Sequence, residues 1–135
     1  MNVLVDTTVW SLALRRNKPG PPELVRELEE LILEGRAVII GPIRQELLSG
    51  VRSGYETLRD HLRAFPDLTL ETGDYEEAGR FFNRCHAAGV QGSNTDFLIC
   101  AAAARRGLSI LSTDRDFAAF ASILSVRLHG RGVGS

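Results

Sequence analysis

Four acids stand where a chain can bring distant carboxylates together: Asp6 in VLVDTTVW, Glu46 in IRQELLSG, Asp96 in NTDFLICAAAA and Asp114 in STDRDF. Asp6 directly follows Val3, Leu4 and Val5, an apolar run too short for a helix and long enough for a buried parallel strand. Asp114 nearly follows a second such run, Leu108 to Leu111. The ligand crevice of an open parallel sheet lies outside the carboxyl ends of its strands, so both acids should converge on one edge. Carboxylates crowded into one cleft repel, and without a cation at least one would hold its proton to unusually high pH. Oxygen-only ligation with no nearby His or Cys points to Mg²⁺ or Mn²⁺ rather than zinc. Such a centre suits phosphodiester hydrolysis, in which metal ions activate a water, screen the phosphate and stabilise the leaving oxygen.

Each acid also has a plainer reading. Asp6 can cap the helix that Val9, Trp10, Leu12 and Leu14 announce, and Asp96 can complement the N-terminal partial charge of its own helix. Thr113 with Asp116 resembles a capping box, which would leave Asp114 an ordinary first-turn acid. Glu46 lies inside a helix, where no capping account applies. At about 100° per residue it falls near the border of the arc of Ile43, Leu47 and Val51, an arc that Arg44 shares. Thr7, Asn94 and Thr113 serve equally as caps or as groups that position waters and ligands.

The elements that must carry these residues alternate. After the first strand and short helix, Arg15 to Pro21 reads as a polar loop. Pro22 opens an amphipathic helix with Leu24, Val25, Leu28, Leu31 and Ile32 on one face and Gly35 as its stop. Ala37 to Ile40 reads as a strand, PIRQELLSGVRSG as a helix, and Tyr55, Leu58, Leu62 and Phe65 as a further helix that ends by Pro66. Leu68 to Leu70 is a candidate strand. A helix from Asp74 to Gly89 follows, with Tyr75, Ala78, Phe82 and Cys85 as its apolar positions and Glu76 and Glu77 in its first turn. Gly89 to Gly92 is a loop, and Ser93, Asn94 and Thr95 supply caps for a helix that Gly107 terminates. Thr113 starts a short helix around Phe117 and Phe120, and Ile123 to Leu128 reads as a last strand. This order implies one α/β domain, residues 1–135, with a mainly parallel sheet.

Composition narrows the classes. At 135 residues, 44% hydrophobic and 24% charged, the chain is an ordinary globular domain. A net charge of −1 gives no global field toward nucleic acid. Lys18 is the only lysine, and the arginine bias fits phosphate binding no better than it fits genome composition. Cys85 and Cys100 lie in helix-like apolar patterns without zinc spacing and read as core thiols. No leader and no apolar run of membrane-spanning length is visible, so a cytoplasmic protein is expected. Neither GxGxxG, GxxxxGK[ST] nor GxSxG occurs, and His61, His86 and His129 show no partner spacing. A phosphoacceptor receiver domain would need an adjacent acid pair and a late lysine, whereas Lys18 lies early.

Taken together, VLVDTTVW, the helix glutamate of IRQELLSG, the DFLICAAAA helix and STDRDF after a strand resemble a PIN-domain ribonuclease, specifically the VapC-type toxins of bacterial and archaeal toxin–antitoxin pairs. The resemblance spans nearly the whole chain. It implies a three-layer α/β/α sandwich around a parallel sheet of four or five strands. It also implies that Asp6, Glu46, Asp96 and Asp114 bind Mg²⁺ or Mn²⁺ and carry catalysis. Asp116 matches a further acid of the TDRDF motif, a looser correspondence. Asn94 stands in a loop where some relatives carry another acid, which argues against a strongly held second metal. The activity so implied is endoribonucleolytic hydrolysis leaving a 5′-phosphate and a 3′-hydroxyl. A homodimer is implied, as is a cognate antitoxin whose C-terminal segment lies over the acidic cleft. Arg15, Arg16, Arg44 and Arg52 are candidates for guiding the RNA backbone. A non-catalytic PIN-like scaffold and a housekeeping RNA-processing nuclease are the alternatives.

Overall fold

The computed structural model describes residues 1–14 and 21–130. The expected loop from Arg15 to Pro21, with Lys18 and two of the arginine candidates, Arg15 and Arg16, therefore lies almost wholly outside the described residues. Four strands form one sheet in the order β2-β1-β3-β4, every pair parallel. The strands are β1 (Val3–Val5), β2 (Ala37–Val38), β3 (Ser109–Leu111) and β4 (Arg127–Leu128). Both central strands are buried along their whole length, as expected of a parallel sheet covered on both faces.

Seven described helices cover it: α1 (Thr7–Leu14), α2 (Pro22–Leu33), α3 (Gly41–Leu48), α4 (Tyr55–Leu62), α5 (Thr72–Ala87), α6 (Asn94–Arg106) and α7 (Asp116–Ile123). They fall into two packing groups, with α1 against α2 and α3, α3 against α4, and α5 against α6 and α7. This is the expected α/β architecture, with the four-stranded alternative realised. No described helix is long and apolar enough to cross a membrane.

Pro22 begins α2, which buries Leu24, Leu28 and Leu31, and Gly35 ends it with φ +69°. Ser93 caps α6, and Gly107, at φ +68°, stops it. Trp10 fixes the angle at which α1 leaves β1. Its buried indole N–H donates to Val5 O at 3.1 Å, and its ring packs at 5.0 Å from Phe65.

Several expectations need correction. The strand at 37–40 shortens to two residues; Ile39 keeps only an isolated parallel bridge to Asp67, and 68–70 forms no strand because it has no second partner to pair with. The helix from Pro42 stops at Leu48, because Ser49 turns extended and Gly50 adopts φ +79°. Val51 thus lies outside it. The last strand covers Arg127–Leu128 only, and Asn94 is the first residue of α6, not a loop residue.

In α5 the first turn belongs to Asp74 rather than to Glu76 and Glu77, and the buried face is Asp74, Ala78, Phe81 and Cys85. Tyr75 and Phe82 stay partly in solvent, 54% and 39% exposed. Asp74 is fully buried because Arg105 and Arg106 close on it at 2.7 Å each, while its other oxygen accepts Glu71 N–H. Cys85 and Cys100 are buried, and burial pushes both thiols up, as expected of core residues.

Candidate active site

The carboxyl edge of the sheet carries the acids. Asp6 ends β1 and is 5% exposed. Its Oδ1 accepts Thr7 N–H at 2.7 Å; its Oδ2 accepts the hydroxyls of Ser112 at 2.7 Å and Thr8 at 3.0 Å. Burial pushes its carboxyl above the usual range, those three hydrogen bonds oppose the shift, and the charge of Asp114 adds to it. Asp6 therefore does sit at a helix start, but hydroxyls from both strand ends also aim it across the edge.

Asp96 enters from the first turn of α6. Ser93 and Asp96 form a reciprocal capping box, with Asp96 N–H donating to Ser93 Oγ at 3.1 Å and Ser93 N–H to Asp96 Oδ2 at 3.0 Å. The capping account is thus correct, and incomplete. Burial pushes this carboxyl up too; the Ser93 bonds pull the other way, and the charges of Asp6 and Asp114 push further. The charge of Asp114 thus reaches both Asp6 and Asp96, and that of Asp6 reaches Asp96.

Asp114 follows β3 by a turn built differently from the expected capping box of Thr113 with Asp116. Its own N–H donates to Ser112 Oγ at 3.0 Å, and its Oδ1 accepts Asp116 N–H at 2.9 Å. Thr113 instead contributes its N–H, which reaches Thr8 Oγ1 at 3.5 Å. Asp116 is exposed at the start of α7 and meets Asp114 through its backbone alone. Glu46 reaches the edge from α3, where its Oε1 accepts Thr7 Oγ1–H at 2.6 Å.

Each acid is thus anchored by one part and open at another. Glu46 Oε2, Asp96 Oδ1 and Asp114 Oδ2 accept no hydrogen bond from a described residue, and Asp6 Oδ1 accepts only one. Among the described residues no group of three Asp, Glu, His or Cys side chains is arranged to hold an ion as it stands. Glu46, Asp96 and Asp114 instead spend one oxygen each on hydroxyl and N–H donors, and a cation that neutralises them would have the remaining oxygens to draw on. The donor set, carboxylate oxygens with no nitrogen or sulfur, fits a hard divalent ion.

Two residues change standing. Ser112 was not legible as functional, yet its hydroxyl ties the β1 acid to the β3 acid across 106 residues of chain. A serine two residues before an aspartate at a strand end is the available signal, and ordinary turns share it. Arg44, a candidate for guiding RNA, is engaged within the chain. Its guanidinium is held by Asp67 at 2.9 Å, by Leu62 O at 2.9 Å and by Phe65 O, so it staples α3 to the turn after α4. Arg52 is exposed.

A family model described as PIN domain matches residues 3–123. "Ribonuclease VapC11" of Mycobacterium tuberculosis is 30% identical over 131 residues, covering 93% of this chain and 96% of that protein, and "VapC ribonuclease Mb1587" of Mycobacterium bovis matches equally. FitAcB from Neisseria gonorrhoeae superimposes with a TM-score of 0.76 at 21% identity, over 95% of this chain and 96% of that one. VapBC2 from Rickettsia felis, solved bound to a DNA fragment from its promoter, gives 0.75 at 17%, over 96% and 98%. At those identities the two structures speak for the fold.

Proposed function

Because the chain belongs to the PIN-domain family and is kin to the VapC ribonucleases over nearly its full length, we propose that it is the endoribonuclease toxin of a toxin–antitoxin pair. It hydrolyses RNA phosphodiester bonds with Mg²⁺ or Mn²⁺ and leaves a 5′-phosphate and a 3′-hydroxyl. Residues 1–135 act as one domain in the cytoplasm, as a homodimer. A cognate antitoxin silences it by laying a C-terminal segment across the acidic cleft; relatives of this fold have been solved as toxin–antitoxin complexes, among them VapBC-5 from Mycobacterium tuberculosis. The observation that supports the reading is that Asp6 and Asp114, far apart in sequence, meet on the Ser112 hydroxyl at one sheet edge, with Asp96 close enough for their charges to push its carboxyl up.

Asp6, Glu46, Asp96 and Asp114 would hold the ion, with Asp116 at its margin. Bound there, a divalent cation supplies acidification of a water and neutralisation of phosphate charge. The chain does the positioning. Thr7 serves two acids at once, its N–H on Asp6 and its hydroxyl on Glu46. Ser112 and Thr8 hold Asp6 Oδ2 while Thr7 N–H holds Oδ1, which fixes the carboxylate plane and leaves Oδ1 with acceptor capacity to spare. Ser93 holds Asp96 Oδ2 and leaves Oδ1 forward. These hydrogen bonds keep the acids at the sheet edge, and a bound cation would complete the site by drawing their remaining oxygens together.

The test is cleavage of a single-stranded oligoribonucleotide by the purified chain in Mg²⁺, Mn²⁺ or EDTA, alongside Asp96→Asn. Metal-dependent cleavage by the wild type, absent in EDTA and in the variant, is expected. Cleavage that persists in EDTA, or that Asp96→Asn leaves intact, refutes the reading. Co-purification with the product of a small neighbouring open reading frame, and loss of cleavage in that complex, tests the antitoxin.

A further inference from the structure

Parallel pairing brings the end of β4 beside the turn that bears Asp114. Ile110 pairs with Leu128, and His129 N–H donates to Ile110 O at 2.7 Å. Next to Asp114 the chain leaves a cavity of about 110 Å³. Phe117, Ala118 and Leu128 give it apolar walls, Arg115 and His129 line it with a guanidinium and an imidazole, and Asp114 is shared with the acidic edge. Arg115 is exposed and lies between Asp114 and Asp116 in sequence, yet its guanidinium forms no ion pair with either and no hydrogen bond with a described residue. The guanidiniums of Arg36, Arg44, Arg80, Arg105 and Arg106 are engaged with carboxylates; Arg115 shares its freedom with Arg26 and Arg52 among the described residues, and of these three it alone lines this cavity.

The combination suits one kind of visitor. Unstacked RNA bases are held on the planes of aromatic, His and Arg side chains, with polar groups reading their edges. The cavity is well below the ~300 Å³ at which pockets for drug-sized ligands begin, so it accepts a single ring system and not a whole nucleotide. We propose that this cavity is a base-binding subsite for the nucleotide that flanks the scissile phosphate, with Arg115 and His129 as the residues that grip the base and set cleavage preference. The proposal rests on the nuclease reading, since only a substrate at the acidic edge would present its next base here. Arg115 acts by its plane, so a lysine of equal charge does not replace it.

Single-stranded oligoribonucleotides varied at the two nucleotides that flank the cleaved bond test this with the full chain. Arg115→Ala and His129→Ala should each lower kcat/KM about tenfold for the preferred substrate, the scale expected when one stacking partner is lost, and flatten the preference among bases. Arg115→Lys should behave as Arg115→Ala. Arg80→Ala, which removes an exposed arginine of α5, should change neither. Fluorescence anisotropy with a labelled oligonucleotide in EDTA should show about tenfold weaker binding by the same two variants, with unchanged melting temperatures. Unaltered base preference and affinity in both alanine variants would overturn the subsite while the nuclease reading stands, and wild-type behaviour of Arg115→Lys would reduce Arg115 to a phosphate contact and overturn its role. If the wild type neither cleaves nor binds RNA, the nuclease reading falls and this one with it.

Discussion

Asp96→Asn separates the two tasks that one side chain performs, capping α6 and bearing charge in the acidic cleft. Consider the cation-free protein at pH 7.5 first. The raised carboxyl of Asp96 means that burial and the charges of Asp6 and Asp114 together outweigh the two Ser93 hydrogen bonds. Its folded pKa lies above the ordinary 3.8, so the ionised group costs stability, a cost absent below about pH 3.8 and complete once pH exceeds the folded value. Asparagine removes that cost and keeps an oxygen for Ser93 N–H, while up to ~1 kcal/mol of favourable charge at the helix N-terminus is lost. The variant should therefore match or exceed the wild type in EDTA, with the gap closing as pH falls toward 4. With cation the order reverses. A ligand at about 100 times its Kd stabilises the native state by ~2.7 kcal/mol, which for a domain of this size is a rise in Tm of roughly 10 °C. The wild type should gain that shift in Mn²⁺ or Mg²⁺, and Asp96→Asn most of it should lose. Thermal unfolding at matched ionic strength, with and without EDTA, measures both halves. A variant clearly less stable than the wild type in EDTA, or one with an undiminished cation shift, would refute the assignment of Asp96 to a shared charged site.

Three further outcomes follow from the same contacts. Asp74→Ala leaves two arginines without their buried carboxylate and should cost about 3 kcal/mol or more by denaturant titration. Because those arginines hold the Asp74 carboxyl far below the ordinary 3.8, its contribution is present above that pH and lost as pH falls below it, so the gap to the wild type should narrow in acid. Arg44→Ala should lower stability by about 2 kcal/mol through the lost staple while leaving the salt dependence of RNA binding unchanged, whereas a phosphate-contacting arginine would reduce that slope. Ser112→Ala should lower kcat/KM at least about tenfold with a stability loss near 1 kcal/mol, since Asp6 loses a donor and Asp114 N–H an acceptor; equal kinetics would show that Ser112 shapes the turn and nothing more.

Local chemistry made part of this legible from the residues alone. β1 and β3 are apolar runs that could be little else, and α2 and α6 carry their own start and stop residues, Pro22 with Gly35 and Ser93 with Gly107. What escaped was whatever a distant partner decides. Tyr75 and Phe82 satisfy the helical period of α5 as well as Phe81 does, and the register that buries Phe81 instead is set by Asp74, whose partners lie 31 and 32 residues on. A buried aspartate has no local signature, because only the arrival of Arg105 and Arg106 makes its burial affordable. The same holds at the acidic edge. The four acids stood out as candidates by type and position, and Thr7 as a group that could position a ligand. The Ser112 hydroxyl, however, is a common turn group that reaches Asp6 only once β1 and β3 lie side by side, and the Thr7 hydroxyl meets Glu46 only once α3 packs on α1. It follows that changes at these hydroxyls should act on catalysis through the geometry of the acids, with the fold nearly intact, whereas changes at Asp74 or Arg44 should act on the fold and reach catalysis only by unfolding it.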